Sequence, residues 1–324
     1  MVDSSTAQQV KAPPLKEGFV LRELALLGMI MLLIVVMSFA SPYFLSKANF
    51  EAVVVGMVPT AIIVVGMTIL LVAGSFDLSV GSVLALSSTV VAILLLAGVP
   101  IPLAILGAAL VGAAIGLLNG VIVCGLGVNP LIATLGTMLM ARGVALVFTE
   151  GFSLTNLPPA FSIFGQTRVL GLPVMVWVML VILIVGDIAL RKTRFLRQAY
   201  FIGSNEKSAA LSGIAVNKVR IVCFIISGLL AALAGVMLAS RLMSGTPTAG
   251  NALELQVLAA AVIGGASLRG GEGTIFGATL GVIFVALISN AMTMLAISIY
   301  WQMIVTGLVL VLAVAIDMLT RRMK

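Results

Sequence analysis

Apolar residues run on in this chain for tens of positions with no period-two alternation. From Leu78 to Ala141 there are 64 consecutive residues without Asp, Glu, Lys or Arg, and from Gly273 to Ile316 there are 44 more. A water-facing helix carries charge every few residues, so runs of this length fit segments surrounded by hydrocarbon and by each other. Inside a bilayer every backbone polar group must be satisfied by the protein, which leaves helices or a closed barrel. The lack of alternation excludes the barrel. The expected fold is all-α and polytopic.

The pattern predicts about ten spans. They cover Leu24 to Phe39, Val53 to Ala73 (with a kink at Pro59), Val80 to Ala97, Leu103 to Cys124 and Asn129 to Thr149, then Leu172 to Leu190, Ile221 to Ser240, Leu253 to Ile263, Thr274 to Leu295 and Ile297 to Ile316. Leu253 to Ile263 is short for a straight span. Gly107, Gly112, Gly116 and Gly120, at four- and five-residue spacing, predict one face for close helix approach. Arg142 lies inside the fifth run. A buried intramembrane arginine marks function, whereas one two turns from the helix end can snorkel to the interface.

Composition agrees with this class: 61% hydrophobic, 9% charged, mean hydropathy +1.27. The net charge of +7 has a topological cause. Seven of the eighteen basic residues fall between Arg191 and Arg220, with Glu206 the only acid there, which places that segment in the cytoplasm. Arg321, Arg322 and Lys324 place the C-terminus inside, and Lys11, Lys16 and Arg22 do the same for the N-terminus. Both ends inside requires an even number of spans. The implied organisation is an N-terminal arm (1–23), one transmembrane domain (24–316) with a cytoplasmic loop at 191–220 and an outer loop at 150–171, and a cytoplasmic tail (317–324). The outer loop is large enough to receive a partner.

Several chemistries lose their usual parts. There is no histidine, and Cys124 and Cys223 sit apart in apolar runs, where a free thiol behaves as a small hydrophobe. No cleavable signal peptide is evident ahead of the first run.

Polar breaks carry the remaining signal. Gly74 to Ser82, around Asp77, and Gly264 to Gly273, around Arg269, are glycine-rich interruptions. Such breaks serve either as cytoplasmic turns or as hinged gates beside a polar path. Their loose likeness leaves an internal duplication open. In the basic loop, Ser204 or Asn205 can cap a helix of about two turns that Gly213 ends. It would carry an exposed Ala209, Ala210 and Leu211 patch suited either to a groove on another protein or to an interface.

The motifs Gly74-Ser75-Phe76-Asp77-Leu78-Ser79-Val80-Gly81, Ala133-Thr134-Leu135-Gly136 with Arg142-Gly143, Gly203-Ser204-Asn205 with Ala209-Ala210 and Ser212-Gly213-Ile214, and Ile263-Gly264-Gly265 with Leu268-Arg269-Gly270-Gly271 together resemble permease subunits of ribose-type ATP-binding-cassette sugar importers. Pro247-Thr248-Ala249-Gly250, Glu254 and the Tyr300-to-Val305 stretch extend the resemblance over nearly the whole chain after residue 40. Ser75-Phe76 departs from the Gly-Ile usual before the aspartate.

The resemblance implies a type II-like importer permease in the bacterial cytoplasmic membrane, dimerised with a second copy or a paralogue. Two cytoplasmic ATPase domains would bind beneath it, and a periplasmic or lipid-anchored sugar-binding protein above. No phosphate-binding Gly-x-x-x-x-Gly-Lys-Ser/Thr is present, so no cofactor is expected on this chain and ATP–Mg would sit on the partner ATPase. Nucleic acid is not expected as a partner.

Gly203, Asn205, Glu206, Ala209, Ala210 and Gly213 would form the coupling element. Asp77, Ser79, Asn119, Asn129, Thr134 and Asn290 are candidate pathway or gate residues, with Asp77 equally readable as a helix cap. Gly74, Gly81, Gly264, Gly265, Gly270 and Gly271 are candidate hinges. The substrate would be a monosaccharide, ribose or similar. The alternative is an ion-gradient-driven carrier, against which stands the scarcity of embedded carboxylates and the absence of histidine. No paired carboxylates or nucleophile–base set suggests an enzyme.

Overall fold

The computed structural model describes residues 17–322. Lys11, Lys16, Lys324 and most of the predicted N-terminal arm lie outside the described residues. Apolar helices dominate: α1 (Glu17–Ala40), α2 (Lys47–Val72), α3 (Val80–Leu96), α4 (Ile101–Gly125) and α5 (Pro130–Thr149) precede a loop. That loop holds a 3₁₀ turn (Pro159–Ser162), the single-turn α6 (Ile163–Gln166) and a small antiparallel hairpin of β1 (Arg168–Val169) and β2 (Leu172–Pro173). Next come α7 (Val174–Lys192), α8 (Arg194–Ser204), α9 (Glu206–Leu211), α10 (Val216–Leu242), α11 (Leu253–Ile263), α12 (Ile275–Met294) and α13 (Ile299–Arg322).

Seven described helices (the α1 window Glu23–Ala40, α2, α4, α5, α7, α10 and α12) are long and apolar enough to cross a membrane. α3, α11 and the Ile299–Val309 part of α13 are shorter apolar helices. The chain is therefore a multi-pass helical membrane protein.

α2 is the central helix. It runs unbroken through Pro59 and is buried continuously from Val58 to Val72 except at Thr60, packed by α10, α12, α7 and α11. α4 lies along α10, and the seam is made by missing side chains. A Cβ on Gly112, Gly116 or Gly120 would strike Gly228, Phe224 or Ile221 of α10, so the backbones approach as only glycine permits. Gly107 does not share that face; it turns toward Leu94 of α3, because five residues from 107 to 112 overshoot one helical repeat. α1 docks outside, seating Leu26, Ile30 and Met37 with Leu280 and Leu287 of α12.

α2 and α11 end alike. Ser75 N–H bonds Leu70 O and Gly74 N–H bonds Leu71 O, while Ala266 N–H bonds Ala261 O and Gly265 N–H bonds Val262 O. Both glycines have positive φ, the helix-ending arrangement that needs no side chain. α3 ends the same way at Gly98, so this likeness reflects common helix termination and is no sign of duplication.

α11 starts late because the ten residues before it, 243–252, are not helical. A Cβ on Gly245 would meet Ser88 and Ala92 and come near Thr89, whereas Gly81 and Gly250 touch each other. The connection thus descends alongside α3 over seven to eleven residues of that helix, about 10–16 Å.

Candidate coupling and translocation sites

The basic end of the molecule is a knot of three chain segments. α8 was not expected from the sequence. Its N-cap Thr193 accepts from Leu196 N–H, and Leu196, Ala199 and Ile202 bury one face while arginines take the other. α8 delivers Gly203 against the end of α2 and the loop before α12, where a Cβ would collide with Val72 O and the Gly271 amide. Gly271 N–H donates to Val72 O at 2.9 Å, and a Cβ on Gly270 would press Gly203 and Gly74. Tyr200 Oη donates to Gly273 O at 2.8 Å, and burial pushes its phenol up to about 12, so the donor proton stays. Arg220 of α10 donates through Nε to Ala73 O at 3.1 Å and pairs with Glu206 at 2.7 Å. Asp77 and Arg269 thus belong to breaks that converge: Gly74, Gly203, Gly270 and Gly271 meet at one point.

Asn205, not Ser204, caps α9: its Oδ1 accepts from Ser208 N–H, and Gly213 ends the turn at φ 83°. The apolar patch expected there is smaller than its sequence suggests. Ala209 is 4% exposed because it packs on the core, while Leu211 is 90% exposed and Ala210 also faces out.

Above the knot, Asp77 closes a buried polar network at the junction of α3, α4, α5 and α10. Oδ1 accepts from Ser79 N–H (2.8 Å), Ser79 Oγ (2.6 Å) and Asn119 Nδ2 (3.3 Å), and Oδ2 faces Ser227 Oγ at 3.4 Å. Asn119 also donates to Ser79 Oγ and accepts from Thr137, whose hydroxyl lies 3.1 Å from Thr134 O. Asp77 therefore turns the chain into α3 and ties it to α4 and α10, while Asn119 brings in α5. Thr137 and Ser227 were missed because each is an ordinary small polar residue in an apolar run.

Arg142 neither snorkels nor stands alone. Nη1 donates to Pro247 O at 2.6 Å and Ala249 O at 2.7 Å, carbonyls that the non-helical connection leaves without helix partners. Other bonds hold the covered part of that backbone: Leu154 and Gly245 exchange both bonds, and Thr246 O accepts from Ala249 N–H and faces Ser88 Oγ at 3.4 Å. Glu254 sits over Gly81 within electrostatic reach of Arg142.

The other candidates lie apart. Asn129 is exposed and caps α5, accepting from Leu131 N–H. Asn290 exchanges amide bonds with Asn49 (2.7 and 3.1 Å) at a cleft of about 250 Å³ between α2, α11 and α12. Thr60, Gln256 and Ser289 also line that cleft. Gly81 and Gly264 sit in close contacts, with Gly250 and Gly277 respectively. Among the described residues no cluster of His, Cys, Asp and Glu could hold a metal ion.

The comparisons to known proteins give the family. The family described as branched-chain amino acid transport system / permease component matches residues 49–314, and this chain belongs to it. It is 39% identical over 288 residues to the ribose import permease protein RbsC of Bacillus subtilis, covering 88% of this chain and 89% of that protein. Against the ribose import permease protein RbsC of Escherichia coli K12 it is 40% identical over 292 residues, 89% and 91% of the two chains. The L-arabinose ABC transporter permease protein AraH of Azospirillum brasilense is 34% identical over 316 residues, 97% of this chain and 93% of that one. No solved structure matches. The family-level expectation from the sequence motifs is thereby met.

Proposed function

We propose that this chain is the membrane-spanning subunit of an ATP-driven importer for a monosaccharide, ribose or a similar sugar, and is not itself an enzyme. Two copies, or this chain and a paralogue, enclose the path. ATPase domains bind the basic end with ATP–Mg, and a sugar-binding protein docks at the opposite end. Both termini face the cytoplasm of a bacterial cell, and ten helices cross its inner membrane in a type II-like arrangement, α3, α11 and α13 completing the seven long ones.

The observation that carries this reading is the seating of α8 and α9. Gly203, Asn205, Glu206, Ala209, Ala210 and Gly213 form the coupling element: Ala210 and Leu211 are offered outward, while Gly203 lies against α2 and the Gly270–Gly271 loop. A push on α9 therefore reaches the two breaks directly, and Gly74, Gly265, Gly270 and Gly271 give them freedom to turn. Asp77, Ser79, Asn119 and Thr134 act as the inner gate by holding α3, α4 and α5 together. Asn129 and Asn290 mark the two ends of the path. Gly81 and Gly264 permit helices to slide at contact.

The test is uptake of labelled monosaccharides by vesicles holding the chain with its ATPase and binding protein. Gly203→Leu and, as a variant that disturbs no internal packing, Ala210→Trp are expected to lower uptake about tenfold or more while ATP hydrolysis continues. Uptake persisting in both variants overturns the coupling assignment. Uptake that collapses with the ion gradient instead of with ATP overturns the importer reading.

A further inference from the structure

The non-helical connection between α10 and α11 is irregular backbone running inside the membrane domain beside α3. Irregular backbone at membrane depth persists only where protein covers it or where it faces water, since hydrocarbon leaves its polar groups without partners. Here one side is covered. Gly245 and Pro247 are buried, Gly250 touches Gly81, and Arg142 occupies the Pro247 and Ala249 carbonyls. The other side is open: Thr248, Asn251 and Ala252 are exposed. No side-chain hydrogen bond within the described residues uses the Thr248 hydroxyl or the Asn251 amide. Both exposed polar groups are neutral, and the adjoining Arg142 guanidinium is engaged by carbonyls.

We propose that the open side of the 244–252 segment lines the aqueous path and that Thr248 and Asn251 contact the solute there, a neutral polyhydroxylated molecule. This rests on the importer reading for the solute's class, but the placement of the segment does not. Neutral amide and hydroxyl groups exchange hydrogen bonds with sugar hydroxyls at little net gain, so a sugar is passed along without being trapped. The covered side explains why Arg142 is inside the membrane domain: it fixes the segment's shape so that the open side keeps its orientation.

The experiment places single cysteines in the full complex, with Cys124→Ser and Cys223→Ala removing the native thiols. Thr248→Cys is expected to react with a membrane-impermeant maleimide about tenfold faster in one nucleotide state than in the other, because the path opens to each side in turn. Phe152→Cys, on the 150–173 loop, is expected to react alike in both. In parallel, Asn251→Trp is expected to cut sugar uptake about tenfold while ATP hydrolysis stimulated by the loaded binding protein stays within about twofold. Thr248→Cys reacting alike in both states, as Phe152→Cys does, makes the segment a surface loop and overturns the proposal, as does no reaction in either state. Full uptake by Asn251→Trp overturns the solute contact. Uptake by the parent complex that ignores ATP overturns the importer reading instead. Thr248→Cys labelling together with uptake loss in Asn251→Trp would then leave the path assignment standing.

Discussion

The turn at 73–79 and the connection at 243–252 both interrupt the succession of apolar helices, and they are built in opposite ways. The first is closed. Asp77, Ser79, Asn119, Thr137 and Ser227 are all at most 2% exposed and spend their hydrogen bonds on one another. The second is open: one arginine holds its covered carbonyls, and Thr248 and Asn251 face outward. A polar group closed into a network can only position helices, whereas one left facing out can exchange partners with a passing solute. On the proposed path assignment, the two breaks divide the work between holding and conducting.

The sharpest way to break this contrast is at its closed side. Asp77→Ala removes the acceptor from four donors, the Ser79 N–H and hydroxyl, the Asn119 amide and the Ser227 hydroxyl, and is expected to cost about 3 kcal/mol or more, since each buried donor left unpaired costs about 1–3 kcal/mol. The check is the unfolding midpoint of the purified protein in detergent, with Asp77→Asn falling less because one oxygen remains. A midpoint unchanged in Asp77→Ala would mean that the network does not hold the four helices.

Arg142→Met comes next. It strands two carbonyls and is expected to cost about 2 kcal/mol by the same measurement, with Arg142→Lys recovering part of the loss. An unmoved midpoint would place the connection's stability elsewhere, in the Leu154–Gly245 bridge. The smallest effect belongs to the open side: Thr248→Ala is expected to stay within about 0.5 kcal/mol of the parent, as an exposed side chain without internal partners should. A large loss there would show that the segment is packed and not open.

Much of the fold was legible because membrane helices are written as long apolar runs. The Leu253-to-Ile263 helix matches α11 at both ends, and the run from Asn129 to Thr149 differs from α5 by one residue. The glycine face of α4 was legible for Gly112, Gly116 and Gly120 and misjudged for Gly107, whose offset from its neighbours is five. α8 escaped because its period is short and its charge reads as loop. The shortness of α11 was visible, but its cause, a non-helical segment packed on one side against α3, has no local signature beyond Pro247 and two glycines.

Thr137 and Ser227 were not legible at all, because a buried hydroxyl in an apolar helix is identified by what faces it. Nor could one residue's alternatives be separated from sequence: Arg142 read equally as functional or snorkelling until its carbonyl partners were placed.

The sequence by itself determined that this is a polytopic helical membrane protein, where its long apolar helices lie, and which family it belongs to. These follow from local quantities: apolar length, charge position and motif order along the chain. Only the tertiary structure decided that Gly74, Gly203 and Gly270 meet, that Asp77 is enclosed and that the 243–252 segment is open on one side. Those are contacts between residues tens to hundreds of positions apart, set by how helix backbones approach where side chains are absent, and no local pattern encodes them.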